Sequence, residues 1–352
     1  MRILHLIPTL GGGGAERQIA ALAGGLRAAG CDVHVGIVSA GSNLAPVEAA
    51  GATAHRIRTN GNYDPLLPLR IAGLIRRVRP HVVQTWLTQM DVAGGLAAIA
   101  TRTPWIISER THKIYYPRDL KHGARRFLGR FARAIVANSA GGLEYWDHTR
   151  VKRVVIPNAL PLAGIEAAAR NEEDFGACAV LLFVGRLDPA KNLDNVIDAF
   201  ATVVQRRDAV ALLCGEGPLA ADVHAHIARS GAGDRIRMLG FRDDVWGLMK
   251  RADALLAPSW FEGQPNAVLE AMACGCPLVV SDIPAHRAFL DDSTALFAPP
   301  ADAAALARQL EQALDDRPAA ARRAAEAKAG VAEWSIERVS AAYLRVYQEA
   351  TH

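Results

Sequence analysis

Short apolar runs that end in glycine or polar residues, each followed by a helical pattern, most narrowly limit how this chain can fold. Residues 2–10 form the first run. Gly11, Gly12, Gly13 and Gly14 follow it, and Ile19, Leu22, Ala23 and Leu26 then recur at helical spacing as far as Gly30. Further runs in the first half fall at 33–38, 82–85, 105–108 and 134–138, with helical patterns at 65–78 and 90–100. The second half repeats the scheme at 179–184, 210–214, 236–239, 254–256 and 278–281, and ends in Ala-rich helical stretches at 300–316 and 319–348. Strands alternating with helices call for an α/β fold with a doubly wound parallel sheet. Such sheets bind ligands beyond the carboxyl ends of their strands.

A chain of 352 residues is long for a single core, so two domains are expected, with a linker near 160–175. Its hydrophobic share of 51% excludes disorder. No apolar run reaches the roughly 18–20 residues of a membrane span. The run after Arg2 leads into glycines without a cleavage pattern, so it reads as a buried strand and not an export signal. Cys31, Cys178, Cys214, Cys274 and Cys276 contain no C-x-x-C and read as small buried residues of a reducing compartment. The expected location is cytoplasmic, at the inner face of the membrane if the basic segment described next binds lipid.

The net charge of +4 hides an asymmetry. Residues 1–160 carry 21 Lys/Arg against 9 Asp/Glu, and the remainder 19 against 27. The first half is therefore the one suited to an anionic partner. Its basic residues concentrate in 110–133: Arg110, Lys113, Arg118, Lys121, Arg125, Arg126, Arg130 and Arg133. Phe127, Leu128 and Phe131 give this stretch an apolar edge. Two readings follow: a basic amphipathic helix on an anionic membrane, running from Arg118 to Arg133, or a domain helix with its Phe side chains in the core and its Arg side chains in water. No nucleic-acid-binding signature is present.

The stretch 258–281 carries the chemistry. Glu262 and Glu270 lie eight residues apart. A helix can start near Pro265, with Val268, Leu269, Met272 and Ala273 on its apolar face, Gly275 at its end and Pro277 barring continuation. Glu262 then stands in the loop before a helix N-terminus, whose amides attract phosphate. Two carboxylates beside a phosphate site suit a ligand rich in hydroxyls. Upstream, Gly185-Arg186-Leu187 with Lys191-Asn192 follows a strand and precedes a helix, which puts two cations at the same lip for a diphosphate. The loop at 11–14 is not a dinucleotide fingerprint, because Glu16 stands where the third glycine belongs. That disfavours a dehydrogenase.

Taken in order, these segments resemble the retaining GT-B glycosyltransferases of family 4. The resemblance rests on Gly13-Gly14-Ala15-Glu16, Val184-Gly185-Arg186-Leu187 with Lys191-Asn192, Gly215-Glu216-Gly217, Glu262 to Glu270 with Ala271-Met272-Ala273-Cys274-Gly275, and Trp334-Ser335. It covers essentially the whole chain and is tighter in the second half. It implies two Rossmann-like doubly wound domains facing a central cleft: residues 1–160 for the acceptor, 161–335 for the nucleotide sugar, and a helix at 336–352 returning to the first.

The same resemblance implies the site. Glu270 would take the ribose hydroxyls and Glu262 a hydroxyl of the transferred sugar. Arg186 and Lys191 would take the diphosphate, with backbone amides near Gly13 and Gly14 and at Gly263, Gln264 and Asn266. The base would lie by Gly215, Glu216, Phe241 and Arg242. Glu16, Trp86, Arg110, His112 and Asn138 would line the acceptor side. Family members often carry a His near the reacting sugar; Arg110 aligns there, with His112 two residues on. Pro265 stands where many members have Gly.

The implied reaction is metal-independent and cofactor-free transfer of a hexose or N-acetylhexosamine with retention, the leaving phosphate taking the acceptor's proton. A UDP-sugar is favoured as donor and GDP-mannose is admitted. The acceptor is a glycan or lipid-linked hydroxyl in bacterial surface-glycan or lipopolysaccharide synthesis. Two alternatives share these motifs: a GT-B nucleotide-sugar epimerase and a non-catalytic sugar-nucleotide-binding protein.

Overall fold

The computed structural model describes residues 1–62, 64–113, 116–117, 119–176 and 179–351. Arg118 and Cys178, both singled out above, lie outside the described residues. The chain divides into two compact units, Met1–Pro161 with Trp334–His352, and Leu162–Glu333. Among the described residues no helix is long and apolar enough to cross a membrane.

The first unit runs β1 (Arg2–Thr9), α1 (Gly14–Ala28), β2 (Asp32–Ser39), α2 (Leu44–Ala49), β3 (Thr53–Arg56), α3 (Leu67–Val78), β4 (Val82–Trp86), α4 (Leu87–Ala100), β5 (Trp105–Glu109), α5 (Leu120–Leu128), β6 (Ala134–Ala137), α6 (Ala140–Leu143) and β7 (Lys152–Val155). Its described strands pair in parallel in the order β3-β2-β1-β4-β5-β6-β7. β1 shows why its sequence is an unbroken apolar run. Ile3 and Ile7 enter the core shared with α1, while Leu4 and Leu6 enter the core shared with α3 and α4. The C-terminal helix, Ile336–Thr351, adds Val339, Tyr343, Val346 and Tyr347 to the α1 side. It lies so close to α1 that a Cβ at Gly25 would stand 2.0 Å from Ser340 Oγ.

The second unit runs α7 (Leu162–Ala167), β8 (Ala179–Val184), α8 (Leu193–Arg206), β9 (Ala209–Cys214), α9 (Ala220–Arg229), β10 (Ile236–Gly240), α10 (Val245–Arg251), β11 (Ala254–Ala257), α11 (Asn266–Cys274), β12 (Leu278–Ser281), α12 (Pro284–Arg287), β13 (Leu296–Ala298), α13 (Ala303–Asp315) and α14 (Arg317–Gly330). The described strands again pair in parallel, in the order β10-β9-β8-β11-β12-β13. Leu181 and Phe183 of β8 pack with Val196, Ile197 and Phe200 of α8 and with Leu306 and Leu310 of α13. Each such side chain, once fully buried, contributes about 1.5–3 kcal/mol.

Three local expectations change. Pro265 is the N-cap of α11 and not its first helical residue; its carbonyl accepts from the amides of Val268 and Leu269. In the basic segment the domain-helix reading, with Phe in the core and Arg in water, does not hold. Arg125 is buried, while Phe127 and Phe131 are exposed and meet edge to face at 5.8 Å. The linker region holds a helix, α7. Gly275 does end α11, in the left-handed region at φ 71°. Cys31, Cys214 and Cys276 are buried and Cys274 is partly so.

Candidate active site

In the second unit the loops at the carboxyl ends of β8, β9 and β10 are stitched together through backbone bonds. Gly185 N donates to Cys214 O at 3.0 Å, Leu187 N to Glu216 O at 2.9 Å, and Gly215 N to Gly240 O at 2.7 Å. Glycine is required here by close approach. A Cβ at Gly215 would lie 1.8 Å from Gly185 O, and one at Gly217 2.3 Å from Leu187 O. The stitching holds out Arg186, whose side chain is 67% exposed with Asp188 at 4.0 Å. Phe241 is also exposed. Asp244 holds the Arg242 guanidinium at two points, Nε and Nη2, each at 2.7 Å.

A second clamp joins the loop after β8 to the loop after β11. Asn192 sits in the left-handed region at φ 58°, a conformation that Asn tolerates better than most residues. Its Nδ2 donates to Pro258 O at 2.9 Å and to Pro300 O at 2.6 Å. Trp260 N donates to Ala190 O at 2.9 Å. These bonds bring Lys191 and Glu262 together: Nζ stands 2.5 Å from Oε1. Ser259 Oγ donates to the same Oε1 at 2.8 Å. Among the described residues both bonds fall on Oε1. Gly263 and Gln264 continue this loop, and Asn266 starts α11.

Ser259, Ser281, His286 and Trp246 escape sequence reasoning. Ser281 Oγ donates to Ser259 O at 2.7 Å, and the wholly buried His286 Nδ1 lies 2.8 Å from Ser281 O. Burial lowers the His286 pKa, which keeps the ring neutral with its proton on the Ser281 side. This chain backs the Glu262 loop. Glu270, in α11, is 3% exposed and accepts from Trp246 Nε1 at 2.9 Å. No short-range signal marks the Trp246–Glu270 contact, whose partners lie 24 residues apart.

In the first unit, Gly13 is the N-cap of α1 and Gly14 its first residue. The Glu16 carboxylate fills the space beside Gly13, where a Cβ would meet Oε2 at 2.4 Å. Trp86 is wholly buried and so presents no surface to an acceptor. It lies beneath Arg110, whose guanidinium carbon is 4.2 Å from the ring centroid. Leu87, next in sequence, has φ 68°, a strained value for a bulky residue. Arg110 is committed within its own unit. Its Nε donates to Ser108 Oγ at 2.8 Å, Nη1 to Asn158 Oδ1 at 2.9 Å and Nη2 to Tyr343 Oη at 2.5 Å. His112 lies over Gly141, in space a Cβ would fill. Asn138 is buried, and its Oδ1 has no hydrogen-bond partner among the described residues.

Glu109 holds the loop that carries Arg110 and His112. Its Oε1 accepts from the amides of Arg110 and Thr111 at 2.9 Å each and from Tyr116 Oη at 2.5 Å. Its Oε2 accepts from Trp146 Nε1 at 2.9 Å. Arg125 reaches in from α5 to pair with Glu109 at 2.9 Å and Asp91 at 2.7 Å, all three side chains being buried. Burial opposes the charge on Arg125, but the Glu109 and Asp91 carboxylates outweigh it and raise its pKa further. Burial together with the nearby Arg110 charge lowers the His5 pKa to about 3.

The two halves match known families separately. Residues 12–163 match the family described as Glycosyltransferase Family 4, and residues 166–330 match that described as Glycosyl transferases group 1. A Campylobacter jejuni relative, GalNAc-alpha-(1->4)-GalNAc-alpha-(1->3)-diNAcBac-PP-undecaprenol alpha-1,4-N-acetyl-D-galactosaminyltransferase, is 24% identical over 99% of both chains. A Mycobacterium tuberculosis relative, GDP-mannose-dependent alpha-(1-6)-phosphatidylinositol dimannoside mannosyltransferase, is 36% identical over 65% of this chain and 64% of its own. The chain spans only 45% and 37% of the length of two other curated relatives, at 33% and 32% identity. The solved structure of Anabaena HepE in complex with UDP superposes with a TM-score of 0.85 at 20% identity, covering 99% of this chain and 100% of that one. That likeness carries the fold, two parallel-sheet α/β units of the GT-B type. Matched across both of its units, the chain belongs to glycosyltransferase family 4, with a group 1 glycosyl transferase module in its second half.

Proposed function

We propose that this protein is a metal-independent, retaining glycosyltransferase that moves a hexose or N-acetylhexosamine from a nucleoside diphosphate to a hydroxyl of a glycan or lipid-linked acceptor in bacterial glycan synthesis. The observation that carries the reading is the Lys191–Glu262 pair, held at 2.5 Å at the carboxyl ends of β8 and β11 beside the exposed Arg186. A nucleotide sugar suits this arrangement. Its diphosphate meets the two cations and the amides at the start of α11. A sugar hydroxyl donates to Glu262 Oε2, and the ribose hydroxyls donate to Glu270. UDP is favoured, since the superposed Anabaena protein binds it; the mycobacterial relative is named for GDP-mannose.

In the proposed step the acceptor oxygen bonds to the anomeric carbon as the carbon–phosphate-oxygen bond breaks. The electron pair leaves with the diphosphate, which takes the acceptor's proton. Arg186 and Lys191 stabilise the negative charge that gathers on the leaving group. No metal enters this proposed step, so chelation with EDTA should leave transfer unchanged. The first unit is assigned the acceptor. Arg110 and His112 are the two residues assigned to its side of the reaction, Arg110 being held by Ser108, Asn158 and Tyr343.

A lipid-linked acceptor would bring the first unit to an anionic membrane. Leu120, Phe127 and Phe131 are exposed on and just after α5, with Arg126, Arg130 and Arg133 exposed beside them. Apolar side chains flanked by cations are what the headgroup region accepts. The test of the donor reading is a thermal-shift panel of nucleotide sugars. A ligand at a hundredfold excess over Kd stabilises the folded state by about 2.7 kcal/mol, so the donor should raise Tm by several degrees and the other nucleotide sugars should not. A flat panel would count against the reading.

A further inference from the structure

Trp246 is the second residue of α10, and its indole N–H donates to Glu270 Oε2 at 2.9 Å. Glu270 is a carboxylate with 3% exposure, and a buried carboxylate must be met by donors or lose its charge. The indole is itself fixed. A Cβ at Gly164 would stand 3.3 Å from its Cζ3, so α7 presses its glycine against the ring. The backbone beside it is held as well. Asn171 N donates to Gly247 O at 3.0 Å, and a Cβ at Gly247 would lie 2.6 Å from Ala169 O. Cys274 Sγ lies 3.7 Å from Trp246 O.

We infer that Trp246 is a positioning residue that sets the plane of the Glu270 carboxylate and thereby the preference of the site for a ribose over a deoxyribose nucleotide. The inference rests on the reading of Glu270 as the acceptor of ribose hydroxyls. A glutamate on a helix has several rotamers of similar energy. A neighbouring 2′,3′-diol is read well only if both hydroxyls find carboxylate lone pairs in one fixed orientation. A rigid donor on Oε2 selects that orientation before the nucleotide arrives. The Trp246 ring need not touch the ligand to do so.

The test uses the full-length chain and isothermal titration with two probe pairs, UDP with 2′-deoxy-UDP and GDP with 2′-deoxy-GDP, read on the base that binds more tightly. Trp246→Phe keeps a ring against Gly164 and removes the N–H; Trp246→Leu, which also lacks a donor, serves if Trp246→Phe does not fold. Wild type should prefer the ribonucleotide, and Trp246→Phe should shrink that preference about tenfold, the loss expected for one hydrogen bond to a charged group. A purely packing role would lower Tm and leave the ratio of the two affinities unchanged. Glu270→Gln separates the possible failures. Loss of the preference in Glu270→Gln with its retention in Trp246→Phe overturns the role of Trp246 alone. Retention in both, or its absence in wild type, overturns the reading of Glu270 and the inference with it.

Discussion

Lys191 Nζ and Glu262 Oε1 stand 2.5 Å apart although 71 residues separate them in the chain. Their meeting depends on Asn192, which turns the chain in the left-handed region and bonds two carbonyls, Pro258 O and Pro300 O. Removing those bonds strands the buried Pro258 carbonyl, while Pro300 O keeps a bond from Asn195 Nδ2 at 3.1 Å. Asn192→Gly keeps the backbone conformation and should lose about 1–3 kcal/mol, measured as the shift of the urea midpoint at constant m. Asn192→Ala should lose more, because it adds strain at positive φ.

Arg125 is a second place where one side chain holds several elements. Its ion pairs with Asp91 and Glu109 are wholly buried, so removing the cation leaves two carboxylates uncompensated. Arg125→Met should destabilise the protein by about 3–5 kcal/mol, whereas Arg126→Ala should fall within about 0.5 kcal/mol. Equilibrium unfolding of the two variants checks the contrast.

The same contrast reshapes the membrane proposal. Charge removal at Arg126 and Arg130, and Phe127→Asp and Phe131→Asp, should each release the folded protein from vesicles containing anionic lipid, and salt should weaken binding by screening. Sedimentation with phosphatidylcholine vesicles, with and without phosphatidylglycerol, is the measurement. Binding indifferent to salt and to these variants would remove the proposal.

Acid should weaken the fold through its buried histidines. Burial, then Arg110, lowers His5 to about 3, and burial lowers His286. The unfolded chain binds a proton at each near pH 6.5, so below that value the unfolded state gains protons that the folded state refuses. Stability should therefore fall as pH drops from about 6.5 toward 3, by about 1.4 kcal/mol per pH unit for each histidine within its window. Urea midpoints between pH 8 and pH 5 for wild type and His5→Asn should show a shallower slope in the variant.

The parallel strands and the end of α11 are legible because they depend on local facts: unbroken apolar runs, Gly275 and Pro277. β3 is not, since Thr53-Ala54-His55-Arg56 is a short strand with little apolar patterning. Pro265 misleads by one position because its carbonyl, and not its missing amide, serves the helix start. Arg125 and Phe127 misled more. Patterning leaves the rings either in the core or at a membrane and puts the cations in water, and only Asp91 and Glu109, distant in sequence, make a buried Arg125 stable. The cations and carboxylates of the second unit stand out as residues, but not what orients them. Trp246 and His286 act through contacts that no spacing rule encodes.

Sugar transfer itself tests the central claim most directly. The assay offers the stabilising nucleotide sugar with a hydroxyl acceptor, and in parallel with no acceptor. Wild type should form a glycoside only when the acceptor is present, and Lys191→Ala and Glu262→Ala should stay folded while kcat falls by about 10²–10³. Full-rate transfer by both variants, or conversion of the nucleotide sugar to its epimer without acceptor, would contradict the account.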